Sequence, residues 1–67
     1  MTYDSEADVA YLYFKEIAKG EVTQTISLNE SINIDLDKYG KTLGIEILEA
    51  SKNLPQNTIK FAKIINQ

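Results

Sequence analysis

The sequence predicts a small α+β domain, an antiparallel β-meander of about four strands with a C-terminal helix packed on it. Three observations predict this class. The chain has 67 residues, 43% of them hydrophobic and 25% charged, which is the composition of a folded protein and the length of one small domain, residues 1–67. Three segments alternate apolar and polar residues with a period of two as far as Leu48, and a segment of helical periodicity follows Pro55.

The strands are predicted from residue type and from alternation. Val9 to Phe14 is rich in aromatic and β-branched residues and is interpreted as the first strand. The next three segments each have one apolar and one polar side, which is typical of an antiparallel sheet with one buried face. Their apolar residues are Val22, Ile26 and Leu28, then Ile32, Ile34 and Leu36, then Leu43, Ile45 and Ile47.

The same alternation predicts the register of the meander, because a slip of one residue would turn every apolar side chain to the wrong face. A glycine at a hairpin tip supplies the positive φ that a tight turn needs. The predicted pairs are Leu28 with Ile32, Ile34 with Ile45, and Leu36 with Leu43, which leaves Tyr39 and Gly40 at the tip of the last hairpin.

The pattern changes after the third alternating segment. Glu49 to Lys52 can form one helical turn, and Pro55 then interrupts the chain. A final helix is predicted over residues 58–67. At 100° per residue one side of this helix is apolar, which predicts docking on the sheet through Phe61, Ala62 and Ile65.

The composition excludes several kinds of site and partner. The chain has no cysteine, no histidine and no arginine, so disulfides, thiolate or imidazole metal sites and Ser-His-Asp triads are excluded. We predict no cofactor and no metal. The net charge of -3 argues against a nucleic-acid partner. The acidic start and the lack of an apolar run of about 20 residues predict a cytoplasmic protein without a targeting segment or a membrane partner.

Four short motifs carry a family resemblance. They are Tyr3-Asp4-x-x-Ala7-Asp8, then Tyr11, then Asp35-x-Asp37-x-x-Gly40, then Gly44-Ile45-Glu46-Ile47-x-x-Ala50-Ser51. Over about residues 3–54 the chain resembles domain of unknown function 2283, a family of small prokaryotic proteins. The resemblance implies a compact cytoplasmic protein with no established activity, and it hints at an antitoxin-like role because some members are thought to lie beside toxin-like genes. The chain departs from the family at Asp4-Ser5, where Asp-Pro is expected, and in the extension over residues 55–67.

The polar side of the predicted sheet supplies the main candidate site, formed by Tyr11, Asn33, Asp35 and Glu46. Paired carboxylates perform acid–base catalysis in glycosidases, but in a deep cleft. A meander of this size offers a cleft only where a second protomer builds one wall. The favoured interpretation is therefore a solvated face with cross-strand hydrogen bonds.

Two further acidic groups have a ligand-binding and a structural interpretation. Asp35, Asp37, Gly40 and Glu46 match positions 1, 3, 6 and 12 of a calcium-binding loop. The strand-like flanks instead favour a hairpin with glycine at its turn. Asp4 and Asp8 are predicted to close turns through backbone N–H groups rather than to ligate a metal. The chain has no histidine that could act as a base for Ser51. A nucleophilic role for this serine is therefore even less favoured than metal ligation by Asp4 and Asp8.

The first predicted strand is apolar on both sides. Exposed aromatic surface marks a partner, while the alternative is that the C-terminal helix covers it. The candidate interface residues are Val9, Tyr11, Tyr13, Phe61 and Ile65. The chain is therefore predicted to be a non-enzymatic module that forms a homo-oligomer, with a dimer favoured, or binds a small protein. The alternatives are an antitoxin-like partner of a toxin and an enzyme with carboxylates at a protomer interface.

Overall fold

The computed structural model describes residues 1–65, which form one mixed β-sheet with a short helix. The elements are β1 (Thr2–Asp4), β2 (Val9–Tyr13), β3 (Gln24–Ser27), β4 (Ile32–Leu36), β5 (Thr42–Leu48), α1 (Ala50–Asn53), a 3₁₀ turn (Ile59–Phe61) and β6 (Lys63–Ile65). The sheet order is β3-β4-β5-β2-β1-β6, and neighbouring strands are antiparallel except for the parallel pair β1 and β6.

The predicted meander is confirmed for three of its four strands. β3, β4 and β5 follow one another in the sheet as they do in the chain. The first predicted strand, β2, is real but pairs with β5 and β1 rather than with β3, so the expected order is wrong at this point. Alternation fixes which side of a strand faces the core but not which strand lies beside it. Two of the six strands, β1 and β6, were not expected.

The register of the last hairpin is confirmed at its base and wrong at its tip. Ile34 lies opposite Ile45 as predicted, but Leu36 lies opposite Thr42 because the register shifts between Asp35 and Leu36. The shift leaves Leu43 as an extra residue on β5, a β-bulge whose side chain is buried. At the other hairpin, the Leu28 N–H donates to the Ile32 carbonyl at 2.8 Å, which confirms that pairing.

The β4–β5 turn is one residue longer than expected. The Asp37 N–H donates to the Lys41 carbonyl at 2.9 Å, and the Gly40 N–H donates back to the Asp37 carbonyl at 3.0 Å. Gly40 has a φ of 78°, the left-handed conformation that closes a three-residue hairpin loop. The glycine therefore has the role that the sequence predicts, in a loop of residues 38–40.

The C-terminal helix predicted over residues 58–67 is wrong as far as residue 65, and residues 66 and 67 lie outside the described part. The chain instead makes the 3₁₀ turn at Ile59–Phe61 and then β6. Phe61 does not dock and is 82% exposed. The Lys63 N–H donates to the Met1 carbonyl at 2.9 Å, because the exposed edge of β1 offers hydrogen bonds that override the helical spacing. The helical turn after β5 is confirmed as α1.

Each face of the sheet has its own chemistry. The apolar face carries two cross-strand rows, Ile26–Ile34–Ile45–Leu12 and Leu28–Ile32–Ile47–Ala10, and the polar face carries Ser27–Asn33–Glu46–Tyr11 and Thr25–Asp35–Gly44–Tyr13. Within residues 1–65 the buried apolar side chains are Ala10, Leu43 and Ala50. No helix in this range is long and apolar enough to cross a membrane.

Candidate functional site

The polar face brings the sequence-predicted site residues together. Tyr11 lies opposite Glu46 across β2 and β5, and Glu46 lies opposite Asn33 across β5 and β4. Asp35 is one pair further along β4, opposite Gly44. All of these side chains except that of Gly44, which has none, are half-buried on a single face. Three neighbouring strands thus supply one cluster.

Asp35 is the acceptor at the centre of this cluster. The Tyr11 hydroxyl donates to Asp35 Oδ2 at 2.6 Å, and the Thr25 hydroxyl donates to Asp35 Oδ1 at 2.6 Å. Each carboxylate oxygen therefore receives one hydroxyl. These charge-assisted bonds tie β2 and β3 to β4, with β5 lying between β2 and β4.

Gly44 makes the longer of these links possible. The Tyr11 ring passes over β5 at Gly44, and a Cβ built on this glycine would overlap the ring. Gly44 is itself buried. Glycine in a strand often marks a place where another group approaches the backbone closely. Gly44 is part of the last family motif, but the sequence does not indicate that an aromatic ring lies against this glycine.

The remaining polar-face residues complete the cluster. The Asn33 side-chain amide donates to Glu46 Oε1 at 3.1 Å, which confirms the predicted cross-strand pair. The rings of Tyr11 and Tyr13 are 4.5 Å apart with a tilt of 50°, a favourable aromatic geometry. Tyr13 is about half exposed. It is the aromatic part of this face that a ligand could reach.

The electrostatics of the cluster fix the protonation state of Tyr11. Burial, followed by the hydrogen bond to Asp35, raises the pKa of the Tyr11 hydroxyl well above its usual value of 10.0. Tyrosine is protonated at neutral pH even at its usual pKa, so the raised pKa keeps the Tyr11 hydroxyl a hydrogen-bond donor into the alkaline range. The arrangement presents two hydrogen-bonded acidic side chains, Asp35 and Glu46, beside the exposed Tyr13. In the described residues no buried side-chain N or O atom lacks a hydrogen-bond partner.

A second cluster links the first and the last of the four family motifs. Asp8 accepts the Tyr3 hydroxyl at 2.6 Å, the Ser51 hydroxyl at 2.6 Å and the Ser51 N–H at 3.0 Å. The Ser51 hydroxyl is the largest cause that holds the pKa of the Asp8 carboxyl below its ordinary value of 3.8. Asp8 thus fixes the first turn of α1 against β1, an arrangement that the sequence analysis did not predict.

The other acidic candidates have structural roles. Asp4 Oδ1 accepts the N–H groups of Glu6 and Ala7 at 3.0 and 3.1 Å, which confirms the predicted turn. Asp37 Oδ1 accepts the N–H groups of Tyr39 and Lys41, both at 2.9 Å. The segment proposed as a calcium loop is therefore a hairpin between two strands. Within residues 1–65 no three or more acidic side chains are grouped so that they could hold a metal ion.

Comparison with family models decides the membership of the chain. The model described as protein of unknown function, DUF2283, matches residues 1–51. The chain belongs to the DUF2283 family. This match ends at Ser51 and therefore contains every residue of both clusters. Comparison with curated proteins and with solved structures gave no match.

DUF2283 membership gives no activity, so the placement of the remaining candidates matters. Val9, Tyr11, Tyr13 and Ile65 lie on the polar-face side of their strands, whereas Phe61 is apart from them in the 3₁₀ turn. Tyr11 is already engaged with Asp35. The predicted interface residues therefore do not form one surface, although four of them share a face.

This DUF2283 chain also has an open groove that is lined by no residue of either cluster. Its volume is about 280 Å³, and it lies between residues 19–23 and the tip of the β4–β5 hairpin. Lys19 and Lys38 border it together with Glu21 and Asp37. The groove is slightly smaller than the roughly 300–1,000 Å³ of typical ligand pockets and carries no functional assignment.

Proposed function

We propose that the chain is a protein-interaction module that self-associates through the apolar face of its sheet. The observation that carries this proposal is the poor cover of that face. Domains are usually built from at least two packed layers around one core. Here a single sheet is accompanied by one helix of four residues and a 3₁₀ turn within residues 1–65. A second copy supplies the missing layer.

The surface to be covered is continuous. The row Ile26–Ile34–Ile45–Leu12 crosses four neighbouring strands. Leu12 and Ile26 at its two ends are 38% and 44% exposed. Leu28, next to Ile26 on the same face, is exposed even further. Contiguous apolar surface of this kind marks an interaction site.

The chain exposes more area than a compact monomer of its mass. The chain exposes 4874 Å², whereas a compact monomer of 7.6 kDa is expected to expose about 4,300 Å². The excess of about 600 Å² approaches the roughly 800 Å² that each partner buries in a standard interface. Two such sheets packed face to face would form an ordinary β-sandwich.

Symmetry and size favour a second copy of the chain as the partner that covers the apolar face. A face that is apolar across four strands is complementary to a copy of itself, and closed two-fold dimers are the commonest oligomers. A lone core of this length rarely supplies more than about 3–5 kcal/mol. A second copy adds burial without any other chain being required.

A matched pair of substitutions on β2 tests the proposal. Leu12→Gln changes the apolar face and Tyr13→Gln changes the polar face of the same strand, at residues that are both exposed. Sedimentation equilibrium should show the wild type as at least a dimer at micromolar concentration. Leu12→Gln should weaken the association at least tenfold, and Tyr13→Gln should leave it unchanged.

Two outcomes would overturn the proposal. One is a wild-type protein that stays monomeric up to about 1 mM, an affinity too weak for a dedicated module. The other is a loss of association in Tyr13→Gln but not in Leu12→Gln, which would move the interface to the opposite face, where Val9, Tyr11 and Tyr13 lie. Circular dichroism of each variant separates lost association from lost folding.

A further inference from the structure

Strand β3 is an edge of the sheet with little protection. It pairs with β4 on one side, and all four of its residues are exposed. From Val22 to Asn29 the chain has neither a charged residue nor a proline. Natural sheets usually protect their edges with lysine, proline or other devices that block strand pairing. The opposite edge, β6, does carry a lysine, Lys63.

The backbone of β3 offers a defined set of hydrogen-bonding groups. The Leu28 N–H donates to the Ile32 carbonyl, and Ile26 lies opposite Ile34. Because the hydrogen-bonding direction alternates along an antiparallel strand, Thr25 and Ser27 direct their N–H and C=O groups away from β4. The outer edge therefore presents donors and acceptors at these two residues, on either side of Ile26.

We propose that β3 pairs antiparallel with β3 of a second copy, about a two-fold axis at Ile26. In this register Thr25 lies opposite the partner's Ser27, and Ser27 lies opposite the partner's Thr25. Each outward N–H then meets an outward C=O, so the set is complementary to itself, as a two-fold interface requires. Ile26 faces the partner's Ile26 at the centre.

The side chains favour the same pairing. Ile26 and Leu28 lie on the apolar face, and Leu28 is 65% exposed. In the proposed register Leu28 lies diagonal to the partner's Ile26, a separation over which long side chains still interact. The apolar row that ends at Ile26 thereby continues into the second copy. A foreign strand could use the same backbone groups, but only a second copy satisfies this symmetry.

This contact is separate from the docking of the apolar face. The edge pairing widens the sheet, whereas face docking adds a layer above it. The two contacts use different two-fold axes, and together they give a closed tetramer where these axes intersect at right angles. The edge pairing does not depend on the proposed function, and each contact can fail without the other.

Cysteine cross-linking tests the register directly, because the chain has no cysteine of its own. A pair that is opposite but not mutually hydrogen-bonded has Cα atoms about 4.5 Å apart, within the range of a disulfide. Ile26→Cys should therefore form a disulfide-linked dimer under mild oxidation. Gln24→Cys is the matched control on the same strand and face, and should give at least tenfold less dimer at the same concentration.

A second substitution tests the backbone contribution. Ser27→Pro removes an outward N–H and leaves the β3–β4 hydrogen bonds in place, and proline is tolerated at such edge positions. In the Ile26→Cys background it should abolish the cross-linked dimer. Ser27→Ala removes only the hydroxyl, which donates to the Asn29 carbonyl at 2.7 Å, and should leave the cross-linking unchanged. Circular dichroism checks that both variants fold.

Amide hydrogen exchange provides a measurement without substitutions. In the wild-type protein at micromolar concentration, the Thr25 and Ser27 amides should exchange at least tenfold more slowly than in a diluted sample. Rapid exchange at both concentrations, or equal cross-linking of Ile26→Cys and Gln24→Cys, would overturn the edge pairing. Cross-linking of Ile26→Cys that persists in the Leu12→Gln variant would show that the edge contact stands apart from the face.

Discussion

Gly44 lies beneath the Tyr11 ring, and this contact determines the first prediction at the scale of single residues. Gly44→Ala places a methyl group in the space of the ring, so Tyr11 must move and its hydrogen bond to Asp35 is lost. Overpacking of this kind typically costs about 1–3 kcal/mol. Urea denaturation of the variant should show a loss of unfolding free energy in this range.

A double-mutant cycle supplies the control for Gly44. In a Tyr11→Ala background the ring is absent, so Gly44→Ala should cost at least about 0.5 kcal/mol less than in the wild type. If the two costs are equal, the ring contact is not the cause. Strand propensity would not explain such a loss either, because alanine is more favourable than glycine inside a strand.

Asp8 gives the second residue-scale prediction, which concerns pH. The hydrogen bonds from Ser51 and Tyr3 hold the pKa of its carboxyl below 3.8 in the folded protein. The stabilisation is therefore complete above the ordinary pKa and is lost as the pH falls through the lowered folded value. The unfolding free energy of the wild type should decline below about pH 4 more steeply than that of Asp8→Asn.

The comparison with Asp8→Asn is needed because another carboxyl behaves alike. The hydrogen bond from Lys15 lowers the pKa of Glu21 as well, so the wild type loses more than one contribution in acid. The Glu21 contribution is the same in both proteins and cancels. Parallel pH profiles for wild type and Asp8→Asn would show that the Tyr3–Asp8–Ser51 cluster does not contribute to folding stability.

The residues of the polar cluster were partly predictable. Alternation put Tyr11, Asn33, Asp35 and Glu46 on one face, and parity put Asn33 opposite Glu46. The link from Tyr11 to Asp35 depends on β2 lying beside β5, which no local pattern specifies. The Tyr3–Asp8–Ser51 cluster joins residues 43 positions apart, and such contacts follow from tertiary structure alone.

At the scale of elements, the end of the chain gives the clearest test. Phe61 is exposed in the 3₁₀ turn, whereas Ile64 on β6 is half-buried opposite Tyr3 of β1. Phe61→Ala should therefore change the unfolding free energy by no more than about 0.5 kcal/mol. Ile64→Ala should cost about 1–2 kcal/mol, less than for a fully buried isoleucine.

Chemical denaturation of these two variants separates the strand from the helix that the sequence predicts. A docked helix would reverse the order, because the Phe61 ring would then be the main buried group. The helical spacing of Phe61, Ala62 and Ile65 was a genuine signal for an isolated segment. It was overridden because β1 offers an open edge, and a strand of β-branched residues satisfies that edge better than a short helix could.

Other elements agree more closely with the prediction made from the sequence. The alternation of β3, β4 and β5 predicted their existence, their order and the orientation of their faces. The bulge at Leu43 shifted the tip of the hairpin by one residue, and bulges have no reliable signal in a single sequence. β1 has three residues, which is too short for alternation to be recognised.

At the scale of the whole molecule, the chain is less compact than its length allows. Its radius of gyration is 12.1 Å, compared with about 10.9 Å expected for a domain of this length. Its principal extents are 34, 23 and 17 Å. Such a shape leaves apolar groups in water that a second copy can bury.

The shape leads to a prediction about thermal stability. If copies of the folded chain bind one another and unfolded chains do not, the melting temperature must rise with protein concentration. Differential scanning calorimetry from about 10 µM to 1 mM, spanning typical weak association, should show a steady increase. A constant melting temperature over this range would contradict self-association. Leu12→Gln should reduce the dependence, and Tyr13→Gln should not.

The parallel pair of β1 and β6 also constrains when the protein can reach its final form. Thr2 lies beside Lys63, so the contact joins strands from opposite ends of the described chain. During synthesis, β1 leaves the ribosome long before β6, and pairing with β2 can satisfy only one of its sides. Contacts between such distant residues are the slowest to form. Each newly made chain therefore passes through a stage in which β1 is itself an open edge, and it closes that edge only after residues 63–65 have been translated.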